Sequence, residues 1–230
     1  MSHRALAGIA LSCCVALPLV ASSSRSDDVK RVERAAQVLH EVVSTPEKGI
    51  PRELLERAQC VAVIPGEKKF ALGFGGQYGK GVATCRTSGR AWSAPLFITV
   101  GGGSWGLQLG GASTDVVMIF TNRDGITSLM SDKFRIGADA TAAGGPVGRS
   151  AAAGTDIALH SEILTYSRSR GAFAGVSLNG SVVQPDDSGN RAMYGNNVDR
   201  GAILNGRVRP PAAARPLLRE VERFGTPDKS

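Results

Sequence analysis

Lys69-Phe70-Ala71-Leu72-Gly73-Phe74-Gly75-Gly76-Gln77-Tyr78-Gly79-Lys80-Gly81 is the stretch on which the fold turns. Its apolar residues alternate with glycine instead of recurring at helical spacing, so it reads as strand. Glycine this dense inside strands marks bulges, tight bends or close backbone approach. The same texture continues outward. Short apolar runs with glycine breaks occupy 61–64, 96–100, 105–109 and 116–120, and again 136–143, 157–158, 163–166, 173–178 and 182–183. Glycine makes up 29 of 230 residues with no collagen-like period, against roughly 7% in average usage. The sequence therefore predicts a glycine-rich, strongly curved, mainly antiparallel β-sheet or barrel-like body.

Helical patterns flank this body. Residues 26–43 predict an amphipathic helix capped by Ser26, with Asp27 and Asp28 at its positive end and Val29, Val32, Ala36, Leu39 and Val43 on one face. Lys30, Arg31 and Arg34 lie off that stripe. Such a helix either lies in a membrane interface or packs on its own core, and packing is the commoner use. Pro51 opens a second, shorter helix through Leu54, Leu55 and Ala58. Asp124-Gly125 begins a turn before a short helix carrying Ile126, Leu129, Met130, Lys133 and Phe134. Residues 185–190 read as a polar loop, 206–215 as a linker, and 216–224 as a closing helix with Leu217, Leu218 and Val221. The fold class is α+β, with N-terminal and C-terminal helices packed on the sheet.

Residues 1–23 read as a signal peptide: Arg4 is followed by an apolar run from Ala5 to Ala21 and then by small residues. Pro18 interrupts that run, which falls short of the roughly 20 residues a spanning helix needs. Ala10-Leu11-Ser12-Cys13 offers the alternative of a lipidated cysteine, although the apolar run continues past it. Residues 24–230 form the mature domain, expected to be secreted or periplasmic. Cleavage removes Cys13 and Cys14 and leaves Cys60 and Cys85 in an oxidising compartment, where a disulfide between them is expected; two buried thiols are the alternative. On chain-entropy grounds that bond stabilises the fold by roughly 3 kcal/mol.

Without Arg4 the mature chain holds 26 basic and 20 acidic residues. A basic surface suits anionic lipid or acidic polysaccharide, and export argues against nucleic acid. The cations beside glycine-rich, strand-like segments are Lys68, Lys69, Lys80, Arg86, Arg149, Arg168 and Arg170. Arginine grips phosphate oxygens with two hydrogen bonds and lysine adds a point charge, so these are the candidate lipid-binding residues.

Chemistry-bearing motifs are weaker. Gly102-Gly103-Ser104-Trp105-Gly106 matches the G-x-S-x-G string of a hydrolase, and Asp156 and His160 follow in the right order. An elbow needs a helix directly after the serine, whereas Leu107-Gln108-Leu109-Gly110-Gly111 alternates and breaks like strand and turn. Gly101, Gly103 and Gly106 satisfy G-x-G-x-x-G and lack the same helix. Asp139 and Asp156 read as turn or cap residues. Cys60 and Cys85 with His40 and His160 lack metal-ligand spacing, so no metal, no cofactor and no catalytic residue is expected.

The ordered motifs resemble the SYLF domain family over nearly the whole mature chain. The resemblance rests on Cys60-Val61-Ala62-Val63-Ile64-Pro65 running into the opening stretch, on Trp92-Ser93-Ala94-Pro95, and on Gly102-Gly103-Ser104-Trp105-Gly106-Leu107. It continues through Asp115-Val116-Val117, Gly144-Gly145-Pro146-Val147-Gly148-Arg149, Tyr166-Ser167-Arg168-Ser169-Arg170-Gly171-Ala172-Phe173, Asn190 and Tyr194-Gly195. It implies a β-rich domain with flanking helices. For eukaryotic members it implies phosphoinositide binding through basic residues and an amphipathic helix, with actin binding in fungi. For an exported bacterial chain the implied activity is non-enzymatic binding of anionic phospholipid or a related amphipathic ligand in the cell envelope. An envelope protein is the alternative partner, and a serine hydrolase comes third.

Overall fold

The computed structural model describes residues 24–44, 50–72, 74–89, 91–104, 112–146, 161–169 and 172–225. Residues 1–23, 105–111 and 147–160, with Arg149, Asp156 and His160, lie outside them, as does Arg170.

The chain is α+β, as the glycine pattern predicts. Its strands are β1 (Cys60–Leu72), β2 (Phe74–Cys85), β3 (Leu96–Ser104), β4 (Ala112–Phe120), β5 (Phe134–Arg135), β6 (Ala142–Gly144), β7 (Ile163–Ser169), β8 (Ala172–Gly175) and β9 (Val182–Pro185). They form one strongly curled sheet in the order β5-β9-β3-β2-β1-β4-β7-β6, with β8 pairing off β7. Among the described strands, all pairings but β6 with β7 are antiparallel. The short runs seen in the sequence are pieces of long strands: β1 spans 13 residues.

Strand β1 stays continuous across Pro65 because it bulges there. Its register shifts between Val63 and Lys68 against β2, and between Ile64 and Glu67 against β4. Proline, which cannot donate to a ladder, is tolerated at such a place. Gly66 takes φ +64°, and its amide donates to Asp115 Oδ1 at 2.9 Å. Beside the bulge the strands come so close that a Cβ on Gly81 would stand 2.4 Å from the Val63 carbonyl oxygen. Glycine in this body permits close approach, which is how the sheet curls.

Alternate residues of the strands feed two cores. On one face Val61, Val63, Val82, Phe97, Val117 and Tyr166 meet α1 (Arg25–Ser44) through Val32, Ala35 and Leu39, and α6 (Arg215–Gly225) through Leu217 and Val221. On the other, Ile64, Leu96, Ile98, Met118 and Phe120 meet α3 (Asp124–Met130) through Leu129, and α5 (Arg200–Leu204) through Ile203 and Leu204. Among the described residues the other α-helices are α2 (Arg52–Arg57) and α4 (Asp187–Tyr194). Helix α1 thus packs on its own domain.

Several local expectations need correction. Ser24, not Ser26, caps α1, its hydroxyl accepting from the Asp27 amide at 3.4 Å. Pro51 is the N-cap of α2 rather than its first helical residue. Helix α3 stops at Met130, and Phe134 enters β5, because strand pairing with β9 places that ring in the core. Residues 136–143 are not one strand: Ile136 bridges Ala140 around a turn in which Gly137 takes φ +86°. The polar segment 185–190 starts helix α4, since the Asp186 side chain accepts from the Gly189 amide and caps it.

Candidate functional site

Strand ends divide the sheet into two poles. At one pole β1 ends at Leu72, β2 begins at Phe74, β3 ends at Ser104, β4 begins at Ala112 and β7 ends at Ser169. At the other, Cys60 and Cys85 stand opposite each other in register, both fully buried and joined by a disulfide.

The expected lipid-binding cations distribute between these poles. Arg86 lies at the disulfide pole, where it donates to the Ala58 and Glu56 carbonyls (2.8 and 3.1 Å) and its guanidinium sits 4.7 Å over the Trp92 ring. It satisfies backbone acceptors at and beyond the end of α2. Lys80 lies mid-sheet, its Nζ 3.1 Å from Asp186. Arg168 lies at the glycine pole, bound to Asp115 at 3.2 Å and to Glu41 of α1. Because Asp115 also holds the Gly66 amide, Arg168 braces the bulge of β1 against α1. Lys68 is in register with Tyr78 and Ser113, and Lys69 with Gln77 and Ala112, both at the glycine pole. Tyr78 is 48% exposed, although it belongs to a strand whose neighbouring residues Val82 and Ala83 are buried.

Lys80 belongs to a buried charge network that composition and spacing did not bring out. Arg31 bridges Asp28 (2.8 Å) and Asp186 (2.9 Å) and lies 5.2 Å over the Phe97 ring. Burial alone would raise the Asp186 carboxyl. Hydrogen bonds from Ser188, the Gly189 amide, Arg31 and Lys80 outweigh it and hold the pKa at about 2. The network locks α1, α4 and β2 together. Arg31 lies off the apolar stripe of α1 and so reads as solvated; the available signal is its i, i+3 spacing from Asp28. Next to the network, Asn190 holds the β3 backbone with both ends of its amide, accepting from the Phe97 amide (2.9 Å) and donating to its carbonyl (3.0 Å). Tyr194 donates to the Pro95 carbonyl at 2.5 Å, and its burial pushes the phenol pKa up.

The described part of the hydrolase-like and nucleotide-like strings, residues 101–104, is strand. Gly101, Gly102, Gly103 and Ser104 pair with Tyr78, Gln77, Gly76 and Gly75 in turn, where either motif would require a turn into a helix. A Cβ on Gly102 would stand 3.1 Å from Ser181 Cα, so this glycine serves close packing. Asp139 closes a turn by accepting from the Arg135 amide at 2.7 Å. Among the described residues no group of three or more His, Cys, Asp or Glu could hold a metal ion, and no helix is long and apolar enough to cross a membrane.

A curled, glycine-rich sheet closed by a disulfide at one pole, with helices laid across it, defines an α+β domain class. The chain belongs to the Ysc84 family, the SYLF type, whose model, described as "Ysc84: Las17-binding protein actin regulator", matches residues 101–224. It is similar to LAS seventeen-binding protein 3 of Saccharomyces cerevisiae, 37% identical over 176 residues, which are 75% of this chain and 38% of that protein. Protein YSC84 of the same yeast is 36% identical over 83% of this chain and 42% of its own length. SH3 domain-containing YSC84-like protein 1 of Xenopus laevis is 31% identical over 83% of this chain and 59% of its own. The chain therefore spans about two fifths of the yeast relatives and about three fifths of the frog one.

Proposed function

We propose that this domain docks on an anionic phospholipid surface through the glycine pole of its sheet, as an exported envelope protein freed of residues 1–23. The observation that carries the reading is Tyr78, a half-exposed ring in register with Lys68 and next to the Lys69 position. A tyrosine ring suits the lipid interface because its body is apolar and its tip polar, and each nearby lysine adds about 1 kcal/mol at an anionic surface. In the sequence Arg170 directly follows Ser169, the last residue of β7. Lys80, Arg86 and Arg168 are engaged inside the domain, so the headgroup role falls to Lys68 and Lys69, with Arg149 and Arg170 beyond the described residues. The disulfide supports an oxidising compartment. The yeast names describe whole proteins more than twice this chain's span, so Las17 binding is not carried over.

Sedimentation with phosphatidylserine-containing vesicles, compared with phosphatidylcholine alone, tests the reading. Binding should prefer the anionic vesicles, weaken with salt, and fall by about 10-fold or more in Lys68→Glu/Lys69→Glu. Equal binding to both vesicles, or an unaffected double variant, would sink it.

A further inference from the structure

Between Asp199 and Glu220 twenty residues hold five arginines and no acid, whereas the mature chain as a whole has 26 basic and 20 acidic residues. The acid-free run 68–114 spreads five cations over 47 residues, and Lys80 and Arg86 among them are bound inside the domain. The denser run is laid out as a strap. It leaves α5 and passes Gly206, where a Cβ would stand 2.6 Å from Thr87 Cγ2, just beyond the disulfide-bonded Cys85. Val208 packs on one core and Ala214 is buried in the other, so the strap starts at the disulfide pole and passes from one face of the sheet to the other. Pro211 has polyproline-type backbone (φ −66°, ψ 156°), and a 3₁₀ turn (Ala212–Ala214) leads into α6. Of the five arginines, Arg200 is tied to Asp132 at 2.9 Å, and Arg219 borders a cleft with Glu33 and Glu220. The guanidinium groups of Arg207, Arg209 and Arg215 are exposed and make no hydrogen bond or ion pair among the described residues.

We propose that this strap is a second binding site, for a linear acidic polysaccharide whose carboxylates are held in turn by Arg207, Arg209 and Arg215. Arginine at all three places suits a planar carboxylate, which accepts two parallel hydrogen bonds from one guanidinium. Pro210 and Pro211 stiffen the backbone between them, so little conformational freedom is lost on binding. The three arginines are strung along the chain, an arrangement that fits repeated charges on a polymer better than a single ion. A bilayer is the poorer fit. Interfacial docking pairs cations with a large apolar side chain, and among the described residues the exposed one, Tyr78, lies at the opposite pole. The strap is therefore independent of the lipid reading.

Fluorescein-labelled oligogalacturonate, a chain of uronic acids, tests this by anisotropy with the full chain at about 0.1 M salt, against uncharged dextran of similar length. The native chain should bind the acidic oligomer and not dextran. Arg207→Glu/Arg209→Glu/Arg215→Glu should weaken binding by at least about 10-fold, with the urea midpoint in place because these groups make no internal bond. Lys30→Glu/Arg123→Glu/Lys133→Glu, the same change in net charge at exposed positions elsewhere, should alter binding by less than about 2-fold. Arg207→Lys/Arg209→Lys/Arg215→Lys keeps the charge, loses the paired hydrogen bonds, and should cost about 3-fold or more. Lys68→Glu/Lys69→Glu should leave sugar binding within about 2-fold, which separates the strap from the glycine pole. No binding of oligogalacturonate, equal loss in the two glutamate triples, or a lysine triple that binds as well as the native chain would overturn the proposal. So would a strap variant that loses phosphatidylserine vesicles and keeps the sugar.

Discussion

The two poles of the sheet are built from the same strands and differ in almost everything else. At one, Cys60 and Cys85 are covalently joined, Arg86 ties β2 to the carbonyls of Glu56 and Ala58, and Trp92 is 6% exposed beneath its guanidinium. At the other, β2 and β3 face each other as Gly76 on Gly103 and Tyr78 on Gly101, and Tyr78 stands half in solvent. Between them the Arg31 network clamps α1 to the sheet. The lesson is that a cation's place along its strand says more about its role than its charge does. Arg86 and Lys68 look alike in sequence, yet one caps a helix and the other is in register with an exposed ring.

Breaking the clamp should have the largest effect. Arg31→Ala removes the guanidinium shared by the buried carboxylates of Asp28 and Asp186 and leaves Asp186 to Lys80, Ser188 and the Gly189 amide, at a cost of about 3 to 5 kcal/mol in urea unfolding. A loss under about 1 kcal/mol would show that the network contributes little to the fold. Next comes the closed pole itself. Cys60→Ala/Cys85→Ala should lose about 3 kcal/mol while leaving vesicle binding intact at temperatures where the variant is folded. Vesicle binding lost together with the bond would erase the division between poles.

Much of this contrast was legible beforehand. The glycine-interrupted alternation points to the curled sheet, and the two cysteines beyond residues 1–23 point to the disulfide pair, because both are set by local composition. The interior roles of Lys80, Arg86 and Arg168 were not legible. Their partners, Asp186, the α2 carbonyls, and Asp115 with Glu41, are brought near by the fold from distant parts of the chain, and spacing along one strand carries no trace of them. Helix α4 was missed for a related reason: eight residues with a glycine near the start show too little periodicity, and only the cap at Asp186 marks the beginning.

Acid should sharpen the comparison more gently. The Asp186 carboxyl titrates near 2 in the folded chain and near 3.9 when unfolded, so its contribution is complete above about pH 4 and is lost as pH falls towards 2. That contribution is about 2 kcal/mol. Urea midpoints followed from pH 5 to 2 should fall more steeply for the native chain than for Asp186→Asn. Parallel curves would mean that the carboxylate gains nothing from its partners.

The smallest change in stability is expected at Tyr78, and it decides whether the open pole is a functional surface. With half its area already in water and the apolar cores lying deeper in the sheet, Tyr78→Ala should shift stability by no more than about 0.5 kcal/mol. Its effect on binding should be of another order, because at a vesicle the ring leaves water for the interface and the variant has nothing to put there. Anionic-vesicle affinity should drop several-fold while the urea midpoint stays in place. Phenylalanine at the same position should retain most of the affinity, since the ring's apolar body supplies the contact. A Tyr78→Ala variant that unfolds earlier and binds as well as the native chain would reverse the assignment, making the glycine pole part of the scaffold.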